Sequence, residues 1–239
     1  VEVIPCSGRN RAMLHEDARI LGFNAYIGEM GGLLVLDHSK DEWRYFTAEM
    51  QFDPADGKTP HRVIEETGIA EKMIARWPGL LEYHNDMQCG YKYREVTLAV
   101  RGEVPDDEAR AMLDSCGLDL DWGDNGFLNH ISRPTTLSLP ADVPGRAFNI
   151  SPRGLNKGGG VARFCELAGI DPAETLAIGD ALSDCRMADA VDTFFLVENG
   201  LANPGIDAFF ETHGNAYVTR GKIVDGWVSA MQCLLEAKR

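Results

Sequence analysis

Apolar positions recur with two different periods along this chain, and the switches between them mark out three stretches. Residues 1–6 are apolar and β-favouring and stop at Ser7, Gly8 and Arg9, which predicts a strand running into a turn. Apolar residues at 13, 14, 18, 20 and 21 predict a helix over about 10–21, closed by Gly22. Two short strands are expected at 26–27 and 33–36, on either side of Gly31 and Gly32. Strand, helix and strand in that order predict a right-handed βαβ unit on a parallel sheet.

The texture changes near Trp43. Residues 44–150 hold half of the aromatic residues and half of the histidines. They predict a loop at 53–60, a helix over 60–75, a strand over 91–100, a helix over 105–115 and several short strands up to Ile150. Strands and helices then alternate again: helix 157–167, opening on NKGGG, strand 175–178, helix 184–190, strand 193–197, a helix from about Asn203, strand 216–219 and helix 224–237. The expected fold class is α/β, a Rossmann-like doubly wound parallel sheet with an inserted α+β domain. The expected division is core 1–43, insert 44–150 and core 151–239.

Composition narrows the partners. A net charge of −14 over 239 residues argues against nucleic acid and against an anionic membrane surface. No run approaches the ~18 apolar residues of a membrane span. Six cysteines, at 6, 89, 116, 165, 185 and 233, show no CxxC or zinc-like spacing, so reduced thiols and a cytoplasmic location are expected. An anionic substrate must find a local basic pocket inside this acidic shell. The chain opens on Val1 inside an apparent strand, so an amino-terminal strand is expected to precede it in the natural protein.

The chemistry gathers around TLAIGDALSDCRM, residues 175–187. An apolar strand is broken at Gly179, leaving Asp180 at its carboxyl end and Asp184 four residues on, where a helix starts. Two carboxylates above a parallel sheet suit a hard cation, since Mg²⁺ takes oxygen ligands; helix capping is the other reading of the same pair. A hydroxyl and free backbone N–H groups at Ser7 and Gly8 suit a phosphate at a helix start, Lys157 adds a compact positive charge, and the Arg9 side chain could reach the phosphate or be solvated. Charge neutralisation and positioning of this kind are what phosphoryl transfer needs.

In order, spacing and context, PCSGR, LNKGGGVARF and IGDALSD resemble the second, third and fourth motifs of the haloacid dehalogenase superfamily of phosphatases. The resemblance covers residues 1–43 and 151–239 and is to the large-cap, Cof-type branch, with mannosyl-3-phosphoglycerate and sucrose-phosphate phosphatases as similar families. It implies a Mg²⁺-dependent phosphatase of a small phosphorylated metabolite, a sugar phosphate or phosphoglycerate-type acid, acting through an aspartyl-phosphate. Ser7, Gly8, Arg9 and Lys157 would bind the phosphoryl group, Asp180 and Asp184 would hold Mg²⁺ directly or through water, and residues 44–150 would form the cap. A monomer or homodimer is expected. Two departures stand out: Ser183 replaces the asparagine of the usual GDxxND, and the DxDxT motif that carries the nucleophile does not occur. The only DxD spelling, Asp119 to Asp121, lies in the insert and is expected to be an exposed turn. A phosphometabolite-binding protein without catalysis, and a phosphotransferase or mutase, are the other readings.

Weaker signals have bland readings beside them. His84, His130, Arg94 and Arg133 of the insert could face substrate or be structural. Trp77, Tyr91 and Trp122 read as core, Arg153 as surface, and Cys6 as a small buried residue. Asn199 and Gly200 are similar to a family loop at the active-site edge, though a plain turn explains them equally.

Overall fold

The computed structural model describes residues 1–85, 90–128 and 130–237, so Cys89 lies outside the described residues. The chain divides into two compact units, Val1–Leu155 and Asn156–Arg239.

The first unit opens on helix α1 (Arg11–Leu21), capped by the Asn10 side chain on the Met13 N–H and closed by Gly22 in the left-handed conformation. Strands β1 (Tyr26–Gly28), β2 (Leu33–Asp37) and β3 (Glu42–Tyr45) form an antiparallel meander. The expected parallel βαβ unit survives here as one parallel bridge, Cys6 to Ile27, and residues 1–6 form no longer strand. β1 is three residues long and turns away at Glu29, so it offers a ladder only to Pro5 and Ser7. Leu14, Ala18, Tyr26, Leu33 and Val35 make the core of this part.

A second sheet and core follow. Helices α2 (Pro60–Glu66) and α3 (Ile69–Arg76) replace the single predicted helix, because Gly68 takes the left-handed conformation between them. Strands β4 (Leu81–Tyr83), β5 (Leu98–Gly102), β6 (Leu120–Phe127) and β7 (Arg146–Pro152) form an antiparallel sheet in the order β4-β5-β7-β6, and helix α4 (Asp106–Asp114) precedes β6. Leu98, Val100, Trp122, Phe148 and Ile150 share a core cluster with Ile64 and Met73 from the helices. The expected strand over 91–100 is shortened to β5, with a 3-10 turn at Tyr91–Tyr93. The reason is a distant partner: the N–H groups of Glu95, Val96 and Thr97 go to the Glu29 carboxylate, at 2.7, 3.0 and 2.9 Å, and not to a neighbouring strand. Of the DxD segment, Asp119 is exposed and precedes β6, whereas Leu120 and Asp121 begin that strand, where the buried Trp122 ring stacks on Phe148 at 4.4 Å and its indole N–H donates to Asp106.

Glu95 ties these parts together. Its carboxylate accepts both Nε and Nη2 of Arg11, at 2.5 and 2.8 Å, and the Tyr45 hydroxyl at 2.7 Å. Burial alone would raise the Glu95 carboxyl, but the hydrogen bonds from Arg11 and Tyr45 outweigh it and hold the group below its ordinary value. A carboxyl lowered in the native state stabilises fully above its unfolded pKa of about 4.3, and that contribution is lost as pH falls through the native value. Glu95→Gln is therefore expected to cost about 1–3 kcal/mol in urea denaturation at pH 7. At pH 3 the gap to the wild type should narrow; an equal gap at both pH values would contradict this account.

The second unit carries the parallel sheet. Helix α5 (Lys157–Ala168) leads to strand β8 (Leu176–Gly179), the short helix α6 (Leu182–Cys185) and strand β9 (Thr193–Leu196). Helix α7 (Ile206–Thr212), strand β10 (Ala216–Val218) and helix α8 (Ile223–Ala237) complete it. The strands pair in parallel in the order β10-β9-β8, as the alternation of strand and helix requires. The helix expected over 184–190 is one turn of α-helix continued by a 3-10 turn, Arg186–Asp189.

Candidate active site

Lys157 is the first residue of α5, whose N-terminus is capped by Asn156 through its side-chain oxygen and the Gly159 N–H, at 3.0 Å. Glycine at 158 lets α5 approach the next element closely: a Cβ there would stand 2.0 Å from the Arg186 carbonyl oxygen. Gly179 meets a similar limit, since its Cβ would lie 2.2 Å from the Asp184 Cβ. These two contacts bring the start of α5, the end of β8 and the single turn of α6 to one place.

Asp184 sits at the centre. Its Oδ1 accepts from Lys157 Nζ at 2.5 Å, and its Oδ2 accepts the N–H groups of Asp180 and Ala181, each at 3.0 Å. The two side chains are only 10% and 11% exposed, so this ion pair is strong and little screened. Both oxygens of Asp184 are thus engaged by protein donors. Asp180 is placed differently. It lies exposed at the carboxyl end of β8, with Oδ2 accepting from Asn199 Nδ2 at 2.9 Å and its main-chain carbonyl accepting from Asn203 Nδ2 at 2.8 Å. The Asn199 amide oxygen accepts the Ile223 N–H at 2.9 Å, which sets the amide so that its NH₂ faces the Asp180 carboxylate. Burial, with the Asp184 charge beside it, pushes the Cys185 thiol up to about 11, so it remains a thiol.

Ser7, Gly8 and Arg9 lie in the first unit, at the turn between the Cys6 bridge and α1. The Arg9 N–H donates to Ser7 Oγ at 3.3 Å. The Arg9 side chain, half exposed, is paired with Asp17 at 2.6 Å. Lys157, Asp180 and Asp184 are thus gathered in one unit, and Ser7, Gly8 and Arg9 in the other. Of the weaker candidates, Arg153 is paired with Asp114 at 2.6 Å, His130 and Arg133 are exposed, and Arg94 is buried. Asn203 and Glu29 escaped sequence reasoning, because nothing in local spacing marks a residue whose partners lie far along the chain.

A family model described as haloacid dehalogenase-like hydrolase matches residues 140–210, a span holding Lys157, Asp180, Asp184, Asn199 and Asn203. The structure aligns with that of the Thermoplasma acidophilum protein 0175 at a TM-score of 0.62 and 17% identity, over 99% of this chain and 82% of that one. Over residues 140–210 the chain resembles the haloacid dehalogenase-like hydrolases. The sucrose-phosphatase of Synechocystis sp. PCC6803, solved with sucrose and phosphate, shares the fold at a TM-score of 0.60 and 14% identity, over 97% of this chain and 84% of that one. Among curated relatives, the phosphoglycolate phosphatase of Methanococcoides burtonii is 24% identical over 200 residues, which is 83% of this chain and 70% of that protein. The chain spans between 38% and 57% of the length of four other phosphoglycolate phosphatases. The chain combines a parallel sheet in its second unit with antiparallel sheets in its first.

Oxygen ligands alone are offered at the end of β8, which fits a hard cation, but only Asp180 has a carboxylate oxygen to spare. Among the described residues, no group of three or more His, Cys, Asp or Glu side chains is gathered to hold a metal. None of the described helices is long and apolar enough to cross a membrane.

Proposed function

We propose that this protein is a Mg²⁺-dependent phosphatase of small phosphorylated metabolites, working in the cytoplasm. The observation that carries the proposal is the buried Lys157–Asp184 pair beside the exposed carboxylate of Asp180. Lys157 would neutralise a phosphoryl oxygen, and Asp184 would hold the ammonium in place while bracing the backbone of Asp180 and Ala181. Asp180 would be the direct ligand to Mg²⁺, with Asp184 acting behind it or through water. Bound there, Mg²⁺ would supply positive charge to the phosphoryl group. Ser7 Oγ and the Gly8 N–H would hold its other oxygens. The attacking carboxylate is proposed to be the aspartate of the family's DxDxT motif, which these 239 residues do not contain.

Residues 44–150 are proposed as a cap over the leaving group, a role supported by their separate sheet and core cluster. The substrate would be a small phosphorylated acid or sugar; the curated relatives' name favours phosphoglycolate. The test is phosphate release by the purified gene product from phosphoglycolate, phosphoglycerate and hexose phosphates, with Mg²⁺ and with EDTA. Release is expected with Mg²⁺ and not with EDTA. Release unaffected by EDTA would rule out the metal role, and no release from any of the three would rule out the phosphatase.

A further inference from the structure

The turn at residues 7–9 has all three of its carbonyls held. Ser7 O accepts the Met30 N–H at 3.2 Å, Gly8 O accepts Arg94 Nη1 at 3.2 Å, and Arg9 O accepts the Glu29 N–H at 2.9 Å. In a planar trans peptide, the C=O and the following N–H point in opposite directions. Tying the Ser7 carbonyl to Met30 therefore aims the Gly8 N–H away from it. The Arg9 N–H, opposite the Gly8 carbonyl, donates to Ser7 Oγ at 3.3 Å and so orients that hydroxyl at the same turn. Two of the three holds are backbone groups of one tight turn. The third is a side chain from a segment 86 residues away.

That segment is built around Glu29. Its carboxylate, with the residue 0% exposed, accepts the N–H groups of Glu95, Val96 and Thr97 and the Thr97 hydroxyl. Glu29 and Met30 both take left-handed conformations, at φ 48 and 62, a strained pair for residues other than glycine. The strain accompanies a geometry in which Glu29 uses its N–H on the turn and its carboxylate on residues 95–97. Arg94 lies across both: Nη1 also donates to Thr97 Oγ1 at 2.9 Å and is 3.9 Å from a Glu29 carboxylate oxygen. A guanidinium here carries a fixed charge and a rigid fork of donors, so the Gly8 peptide is set by a group that cannot deprotonate.

We infer that Arg94 is a positioning residue for phosphate binding, holding the Gly8–Arg9 peptide, whose N–H donates to Ser7 Oγ, so that the Ser7 hydroxyl and the Gly8 N–H face a phosphoryl oxygen. The inference rests on the reading of residues 7–9 as the phosphate-binding turn. Arg94 itself need not touch the substrate; it acts through the Gly8 carbonyl.

The test uses the gene product and two probes, inorganic phosphate and vanadate, measured as competitive inhibitors. Arg94→Met is expected to raise both inhibition constants and KM by about 10-fold, the loss of one charge-assisted hydrogen bond. Arg94→Lys, which keeps the charge without the fork, is expected to raise them about 3-fold, and it decides the matter if Arg94→Met does not fold. Glu95→Gln loosens the neighbouring Arg11 contact without touching the Gly8 carbonyl, and should leave both constants unchanged. A folded Arg94 variant with wild-type inhibition constants would overturn the inference, as would an equal rise in Glu95→Gln. A wild type insensitive to both anions would overturn the phosphate reading of the turn, and the inference with it.

Discussion

Asp184→Ala is expected to lower the stability of the protein by about 3–5 kcal/mol and to abolish phosphate release. The substitution leaves the Lys157 ammonium, only 10% exposed, without its carboxylate, and removes the acceptor of the Asp180 and Ala181 N–H groups. An unpaired buried charge costs more than the pair contributes, because its desolvation is no longer offset. Asp184→Asn keeps an oxygen to accept from the two N–H groups but loses both the charge and the acceptor that Lys157 uses, so a cost smaller than that of alanine, about 2–3 kcal/mol, is expected. Urea denaturation of both variants checks the ranking. If alanine proves no more costly than asparagine, Asp184 does not have the buttressing role assigned to it.

Lys157→Met should separate chemistry from stability. Phosphate release is expected to fall by about 10²–10³-fold, the loss found when one stabilising donor is removed from a preorganised site. The stability cost should be smaller than for Asp184→Ala, since Asp184 keeps both backbone N–H bonds. Lys157→Arg should not restore the rate. The start of α5 is so close to the Arg186 carbonyl that even a Cβ at 158 would stand 2.0 Å from it, and a planar fork does not replace a compact ammonium. Rates at saturating substrate, with melting curves on the same preparations, decide the point; a Lys157→Met enzyme within 3-fold of the wild type would remove Lys157 from the proposed chemistry.

Much of the architecture could be read from local pattern. The bounds of α1 follow from an asparagine cap, apolar spacing and a glycine stop, and α5 opens where NKGGG said it would. β8, β9 and β10 fall on the predicted apolar runs, and their parallel pairing follows from the helices between them. Two of the misreadings are of one kind. Residues 91–97 have strand-like composition, but the N–H groups of residues 95–97 are taken by a carboxylate 66 to 68 residues earlier. Asp119 to Asp121 spell a turn, yet Trp122 draws Leu120 and Asp121 into a strand by burying its ring against Phe148.

The same division runs through the candidate site. Lys157, Asp180 and Asp184 could be picked out by residue type, spacing and their place at element ends, because caps, turns and strand ends are short-range and written in adjacent residues. Their separate tasks could not. A four-residue spacing makes Asp180 and Asp184 look like equivalent ligands, whereas the fold commits both oxygens of Asp184 to Lys157, 27 residues away, and to two backbone N–H groups. Asp180 is left exposed and is oriented by Asn199 and Asn203, 19 and 23 residues on. The sequence by itself determined which groups stand at the sheet edge, since periodicity and capping act within a few residues. Only the tertiary structure decided which of those groups is buried and paired and which is left open, because burial and hydrogen-bond partnership depend on segments that meet only when the chain has folded.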